Sequence, residues 1–184
     1  MNRRTRIAAV AVALLIGAGA AGAATAAPTR EGGAPREAAA LTGAAWLDRA
    51  PATREKVHFS FDAHLAWADR DDPRAATGTF RYSHAVGERS FSALVRVDCL
   101  ATGGPVATVT GIVEETNVPD LRDRRVGVSV YDDGKRDRLG YSWLASTPQT
   151  DEVPPCNAAA PHEKVVRGGG DFRVLPWVYD GMAR

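Results

Sequence analysis

Apolar and polar residues alternate along much of the chain after residue 56, which is the pattern of half-buried β-strands. The clearest run is Val57 to Leu65, whose polar positions are His58, Ser60, Asp62 and His64. A second organising stretch, Phe91 to Val113, contains two apolar runs around Thr102-Gly103-Gly104-Pro105, and this order predicts a β-hairpin. The same signals predict further strands at Ala76–Ala85, Arg125–Tyr131, Arg138–Leu144 and Asp171–Val178.

Six to eight short strands with turn signals between them predict an all-β fold over residues 56–180. The architecture is a single antiparallel β-sandwich or small β-barrel, and the pattern does not separate the two. Residues 27–55 are rich in Ala, Gly and Pro and offer little apolar surface, so we expect a flexible arm there. Within that arm, Pro35 to Leu47 is compatible with a short helix.

Residues 1–26 have the pattern of a secretory signal peptide. Basic residues precede an apolar core from Ile7 to Gly17, and Ala24-Thr25-Ala26 is a small-residue cleavage signal. The alternative is an uncleaved anchor, but the strongly apolar part is shorter than the ~20 residues that span a bilayer. We therefore expect a secreted, extracellular protein with no membrane insertion after cleavage.

Cleavage after residue 26 would leave 20 Lys and Arg against 22 Asp and Glu, so the mature chain is close to neutral. Nucleic acids and anionic membranes select basic surfaces, and this balance argues against both as partners. The mixed charges at Asp120–Arg125 and Asp132–Arg138 are typical of a solvated surface.

The chain contains two cysteines, Cys99 and Cys156. In an oxidising compartment, two cysteines predict a disulfide between them. The competing interpretations are a buried inert thiol at Cys99 and a catalytic thiol, which would need a nearby histidine.

The best chemical candidates are His58, Asp62 and His64 on the polar face of the first predicted strand, together with His84. Histidine and carboxylate suit zinc, and the same groups serve acid–base chemistry. A solvated strand face explains the pattern equally well, so we predict no metal and no cofactor. Residues two apart on a strand lie about 7 Å apart, which predicts that Ser60, Asp62 and His64 form no hydrogen-bonded relay by themselves.

Several segments resemble small secreted β-rich proteins of unknown function from GC-rich actinobacteria. The resemblance rests on FSFDAH (Phe59–His64), GTFRYSH (Gly78–His84), VRVDCL (Val95–Leu100), GGPVATVTGIV (Gly103–Val113), VSVYDDG (Val128–Gly134) and GGDFRV (Gly169–Val174). It implies a fold and a secreted location, and it transfers no catalytic residue.

The leading functional hypothesis is therefore a secreted, non-enzymatic β-domain that binds a protein or carbohydrate or associates with the cell surface. The alternative is a small secreted hydrolase whose site is assembled across strands from His58, Asp62, His64 or His84.

Overall fold

The computed structural model describes residues 36–142 and 153–178, which form one closed barrel of antiparallel strands. Each strand pairs with its neighbours in the sequence, and the last pairs with the first. The all-β prediction is confirmed, and the open choice between sandwich and barrel is settled as a barrel. The eight strands are β1 (Glu37–Leu47), β2 (Glu55–Ala66), β3 (Thr77–Val86), β4 (Arg89–Gly103), β5 (Val106–Thr116), β6 (Arg125–Tyr131), β7 (Arg138–Ser142) and β8 (Glu163–Leu175). Short 3₁₀ turns lie at Pro51–Thr53, Trp67–Asp69, Pro73–Ala75 and Pro119–Leu121.

The interior of the barrel is filled by apolar side chains, which alternate with outward-facing ones along the strands. Phenylalanines dominate it: Phe59, Phe80 and Phe172 are at most 1% exposed. The rings of Phe61 and Phe172 meet edge to face, with centroids 5.4 Å apart. Such edge contacts are the arrangement that aromatic quadrupoles favour, so this centre is well packed.

The prediction of a flexible arm over residues 27–55 is wrong for its C-terminal part, because β1 lies there. β1 pairs with both β2 and β8 and so closes the barrel. Its small residues stand opposite large ones: Ala45 faces Phe59, and Gly43 lies between Phe61 and Phe172. The short helix considered for Pro35–Leu47 is likewise replaced by this strand, and residues 27–35 lie outside the described residues.

Residues 153–162, here called the covering segment, lie against the outer face of β5, β6 and β7. The Cys99–Cys156 disulfide holds this segment, with the two Cα atoms 5.4 Å apart, and confirms the predicted pairing. Thr110 accepts a hydrogen bond from the Cys156 amide, and Ser142 accepts one from the Ala159 amide. Gly127 leaves no room for a side chain, because a Cβ there would collide with the Asn157 carbonyl oxygen.

The barrel is closed by few backbone pairs between β7 and β8, namely Arg138 with Lys164 and Leu139 with Glu163. Beyond these pairs, two amides of β8 donate to carboxylate side chains near the start of β7. Asp137, 2% exposed, accepts the Phe172 amide at 2.8 Å, and Asp132 accepts the Val174 amide at 3.0 Å. Burial raises the pKa of Asp137 although its backbone hydrogen bonds act in the opposite direction.

The bounds of the last predicted strand also change. The last strand begins at Glu163 and not at Asp171, so the run Gly168-Gly169-Gly170 lies inside β8. There β8 bulges away from β1, because consecutive pairing stops at Ala45 and resumes at Leu47. β7 ends at Ser142, and the remainder of the predicted strand to Leu144 lies outside the described residues.

Candidate functional site

Three of the four predicted site residues lie on the outer face of β2. Pairing with β1 places His58 opposite Trp46, Asp62 opposite Thr42 and His64 opposite Ala40. The Phe59, Phe61 and Ala63 side chains between them are buried in the core. The alternation in the sequence therefore predicted correctly which residues of this strand face outward.

Both ring nitrogens of His64 are engaged by carboxylates. Nδ1 lies 2.6 Å from Glu37 Oε1, and Nε2 lies 2.8 Å from Asp62 Oδ1. The spacing of about 7 Å along the strand was expected to keep Ser60, Asp62 and His64 from forming a relay, yet Asp62 and His64 do reach each other, because their side chains lean along the strand. Ser60 is not part of this contact. With both nitrogens occupied, His64 links β1 to β2 and offers no free nitrogen to a substrate or metal.

The protonation of His64 should make the stability of the fold depend on pH. Its pKa is raised by the hydrogen bond to Asp62 and by Glu37, against an opposing effect of burial. The folded chain thus holds this proton more tightly than the unfolded chain, whose histidine titrates near about 6.5. The stabilisation is complete below about pH 6.5 and is lost as pH rises through the raised pKa. Urea unfolding midpoints of wild type and His64→Gln should therefore differ at about pH 5.5 and converge at about pH 9.

The matched control for this prediction is His162→Gln, because the His162 side chain is 66% exposed. NMR titration supplies a second measurement. His64 should titrate above His58, whose pKa is lowered by burial. A His64 midpoint at or below that of His58 would contradict the assignment.

His84 is separated from the other three predicted residues. Its register partners are Val57 and Phe91, and Val57 is buried in the core, so His84 lies on the inner face of β3. A zinc site of Asp62, His64 and His84 is therefore not assembled. No cluster of three or more metal-ligating side chains occurs among residues 36–142 and 153–178.

His84 belongs instead to a half-buried polar cluster at the end of the barrel where β1 turns into β2. An Arg49 terminal nitrogen donates to the Tyr141 hydroxyl at 2.8 Å and lies 2.7 Å from Glu163 Oε2. Glu55 Oε2 lies 3.7 Å from both Arg49 Nε and His84 Nε2. Burial opposes the charge on Arg49, but the contacts with Tyr141, Glu163 and Glu55 outweigh it and raise the pKa of Arg49. The cluster is an ion-pair network around a permanently charged guanidinium.

The outer face also carries a polar groove of about 550 Å³ across β2, β3 and β4, here called the outer groove. His58, the one predicted site residue that lines it, contacts Trp46 at its edge, with ring centroids 4.7 Å apart. Trp46 is 43% exposed. Within the described part of the chain, the hydroxyls of Ser60, Ser83 and Ser92 make no side-chain hydrogen bond, so they are available to a ligand. The groove is lined by His58, Ser60, Arg81, Tyr82, Ser83, Ser92, Ala93, Leu94, Glu115, Thr116 and Asn117.

Asn117 fixes one wall of the outer groove. Its side-chain oxygen accepts the Ser92 amide at 2.8 Å, and its side-chain nitrogen donates to the Ser90 carbonyl at 2.7 Å. The loop after β5 is thereby tied to β4. The sequence did not identify this residue because its role depends on the pairing of two strands, although its position in the loop after the predicted hairpin was a usable signal.

Comparison with known proteins gives no assignment: no protein-family model, curated protein or solved structure matches the chain. In the described part of the chain, no helix has the length and apolar character needed to cross a membrane. The resemblance to actinobacterial secreted proteins remains a prediction, as do the signal peptide and secretion, since residues 1–35 lie outside the described residues.

Proposed function

We propose that this protein is a secreted, non-enzymatic binding domain whose outer groove holds a neutral carbohydrate. The observation that carries the proposal is the combination of an exposed indole with free hydroxyl groups on one rigid face. Trp46 offers an aromatic surface on which the C–H face of a sugar ring can pack, and His58 supports that ring from β2. Ser60, Ser83 and Ser92 supply donors and acceptors for sugar hydroxyls.

The rigidity of the face supports binding as well. β2 pairs with β3 over ten consecutive residue pairs, from Glu55–Val86 to His64–Thr77. A ligand that binds such a surface loses little free energy to reorganisation of the protein. The signal-peptide pattern and the Cys99–Cys156 disulfide are consistent with an extracellular ligand.

The alternative, a small secreted hydrolase, has less support from the geometry. Hydrolysis by these residues needs a base with an open ring nitrogen near an acid and a substrate pocket. The carboxylates of Glu37 and Asp62 occupy both nitrogens of His64. His84 lies 3.7 Å from Glu55 but beside Arg49, which shares the same carboxylate oxygen.

Titration with neutral oligosaccharides tests the proposal. We expect cellohexaose, chitohexaose or mannohexaose to shift the amide NMR signals of Ser60, Ser83 and Ser92. Trp46→Ala should weaken binding up to about tenfold through loss of the stacking contact. Phe91→Ala is the matched control, because Phe91 is a similarly exposed aromatic residue, at 37%, whose ring lies beside His84 and not beside the groove residue His58.

Shifts confined to other faces of the barrel, or no shift with any of these sugars, would refute a neutral-carbohydrate site in the outer groove. The appearance of new reducing-end signals during the titration would instead identify a hydrolase.

A further inference from the structure

A second and larger depression lies on the opposite side of β1, where β7 and β8 separate. One cavity of about 640 Å³ lies between the β6–β7 loop and the bulge of β8, and a second of about 320 Å³ continues along the strand pair. The two share Lys135, Arg136, Asp137, Val165 and Arg167, so they form one elongated depression, here called the basic cleft.

Five cationic side chains line the basic cleft, and all five residues are exposed. They come from three parts of the fold: Lys135 and Arg136 from the β6–β7 loop, Arg138 and Lys164 from the paired strands, and Arg167 from the bulge. Within the described part of the chain, Arg136 alone among them has an ion-pair partner, Asp133, at 3.4 Å. The other four charges are free to meet a ligand.

The strand register makes this concentration of charge unfavourable for the protein alone. Arg138 and Lys164 are directly opposed cross-strand partners. Like charges in that relation repel each other and destabilise a sheet. Repulsion at the point where so few backbone pairs close the barrel has no structural benefit, and a bound anion would relieve it.

The carboxylates near the cleft do not neutralise it. Asp137 is buried at its floor, where its two oxygens accept the amides of Asp133 and Phe172. Asp48 is the other acid in the lining, and it stands at one end of the cleft. Five cations against Asp48, the buried Asp137 and the Asp133 that pairs with Arg136 leave the cleft with a net positive charge, in contrast to the near-neutral chain as a whole.

We infer that the basic cleft binds an acidic polysaccharide, with its sulfate, carboxylate or phosphate groups placed along the row of cations. The elongated form and the spread of charge over three segments suit a chain of anionic groups better than one small ion. Among the described residues that line the cleft there is no aromatic side chain, and single-stranded nucleic acids rely on aromatic stacking as well as charge. This site is separate from the outer groove and does not depend on the function proposed there.

Calorimetric titration with a short heparin oligosaccharide tests the inference on the whole mature protein. Wild type should bind, with affinity that falls as salt rises. The double variant Arg138→Gln/Lys164→Gln should bind at least about tenfold more weakly, because two charge-assisted contacts are lost. The control Arg74→Gln/Arg89→Gln removes the same charge from exposed sites outside the cleft and should change binding by no more than about twofold.

Thermal unfolding separates a binding role from a structural one. Because Arg138 and Lys164 repel each other, the cleft variant should unfold at the same temperature as wild type or higher, while binding heparin more weakly. A lower unfolding temperature with unchanged heparin binding would overturn the inference. So would an equal loss in the Arg74→Gln/Arg89→Gln control, or single-stranded DNA of matched charge binding as tightly as heparin.

Discussion

A chain that begins at Asp48 is expected not to fold, whereas one that begins at Arg36 should unfold cooperatively like the full chain. The difference between them is β1, which contacts both of its neighbours through long ladders. Removing it would leave β2 and β8 as unpaired edges and would expose the phenylalanines beneath. Leu41 and Leu47, at 0% and 3% exposed, alone contribute about 1.5–3 kcal/mol each by burial. Together they contribute about 3–6 kcal/mol, which is comparable with the lower end of the stability of an ordinary domain, about 5–15 kcal/mol.

Circular dichroism, NMR dispersion and thermal unfolding of the two chains would measure this effect. Leu41→Ala provides a milder test within the intact chain, and a loss of about 2–5 kcal/mol is expected. A chain lacking β1 that kept dispersed signals and a sharp transition would show that β2 and β8 can close the barrel directly. The assignment of β1 as an essential strand would then be wrong.

The failure of sequence reasoning at β1 has a physical cause. Alanine favours helices and is depleted in strands, and EAAALTGAAWL has only Thr42 and Trp46 from the β-branched and aromatic classes that identify strands. β1 has small inner residues because large side chains on β2 and β8 stand opposite them. Gly43 has a φ of +105°, and the rings of Phe61 and Phe172 meet beside it. The information that makes this segment a strand thus lies in residues distant in sequence.

Elsewhere, local pattern was sufficient. β2 was predicted from its period of two because its inner side chains are large and its outer ones polar, and each property is visible without knowing the neighbours. The same period of two also indicates which face of β3 His84 occupies. It has the parity of Phe80 and Tyr82, both buried, and so should have been placed on the inner face.

The candidate sites were less predictable than the strands. The alternation identified His58 as outward-facing, but the outer groove also needs Trp46, which lay in the supposed arm. The basic cleft depends on the register that brings Arg138 beside Lys164 and on a bulge that presents Arg167. The net charge of the chain does not reveal this cluster of cations, because acidic residues elsewhere in the sequence balance its positive charge. Sites of this kind follow from strand pairing, and composition does not reveal them.

The largest effect expected from a pair of point substitutions is the loss of the disulfide. Cys99→Ser/Cys156→Ser should lower the free energy of unfolding by about 4 kcal/mol, the chain-entropy contribution for a separation of 57 residues. The described residues of the covering segment otherwise pack closely on Gly127 and Gly140 and accept a hydrogen bond from Arg125, at Val153. Its contacts are mainly single hydrogen bonds, such as those from the Cys156 amide to Thr110 and from the Ala159 amide to Ser142.

Urea unfolding of the double variant, of oxidised wild type and of reduced wild type would measure this loss. Reduced wild type should match the double variant, because both lack the same covalent link. Hydrogen exchange adds a local readout: the amides of Cys156 and Ala159 should exchange faster in the variant. The Phe61 amide, in a central strand, should exchange faster only in proportion to the change in global stability. If unfolding midpoints and exchange rates were the same with and without the disulfide, then the packing of residues 153–162 against Gly127 and Gly140 would itself be sufficient to hold the covering segment.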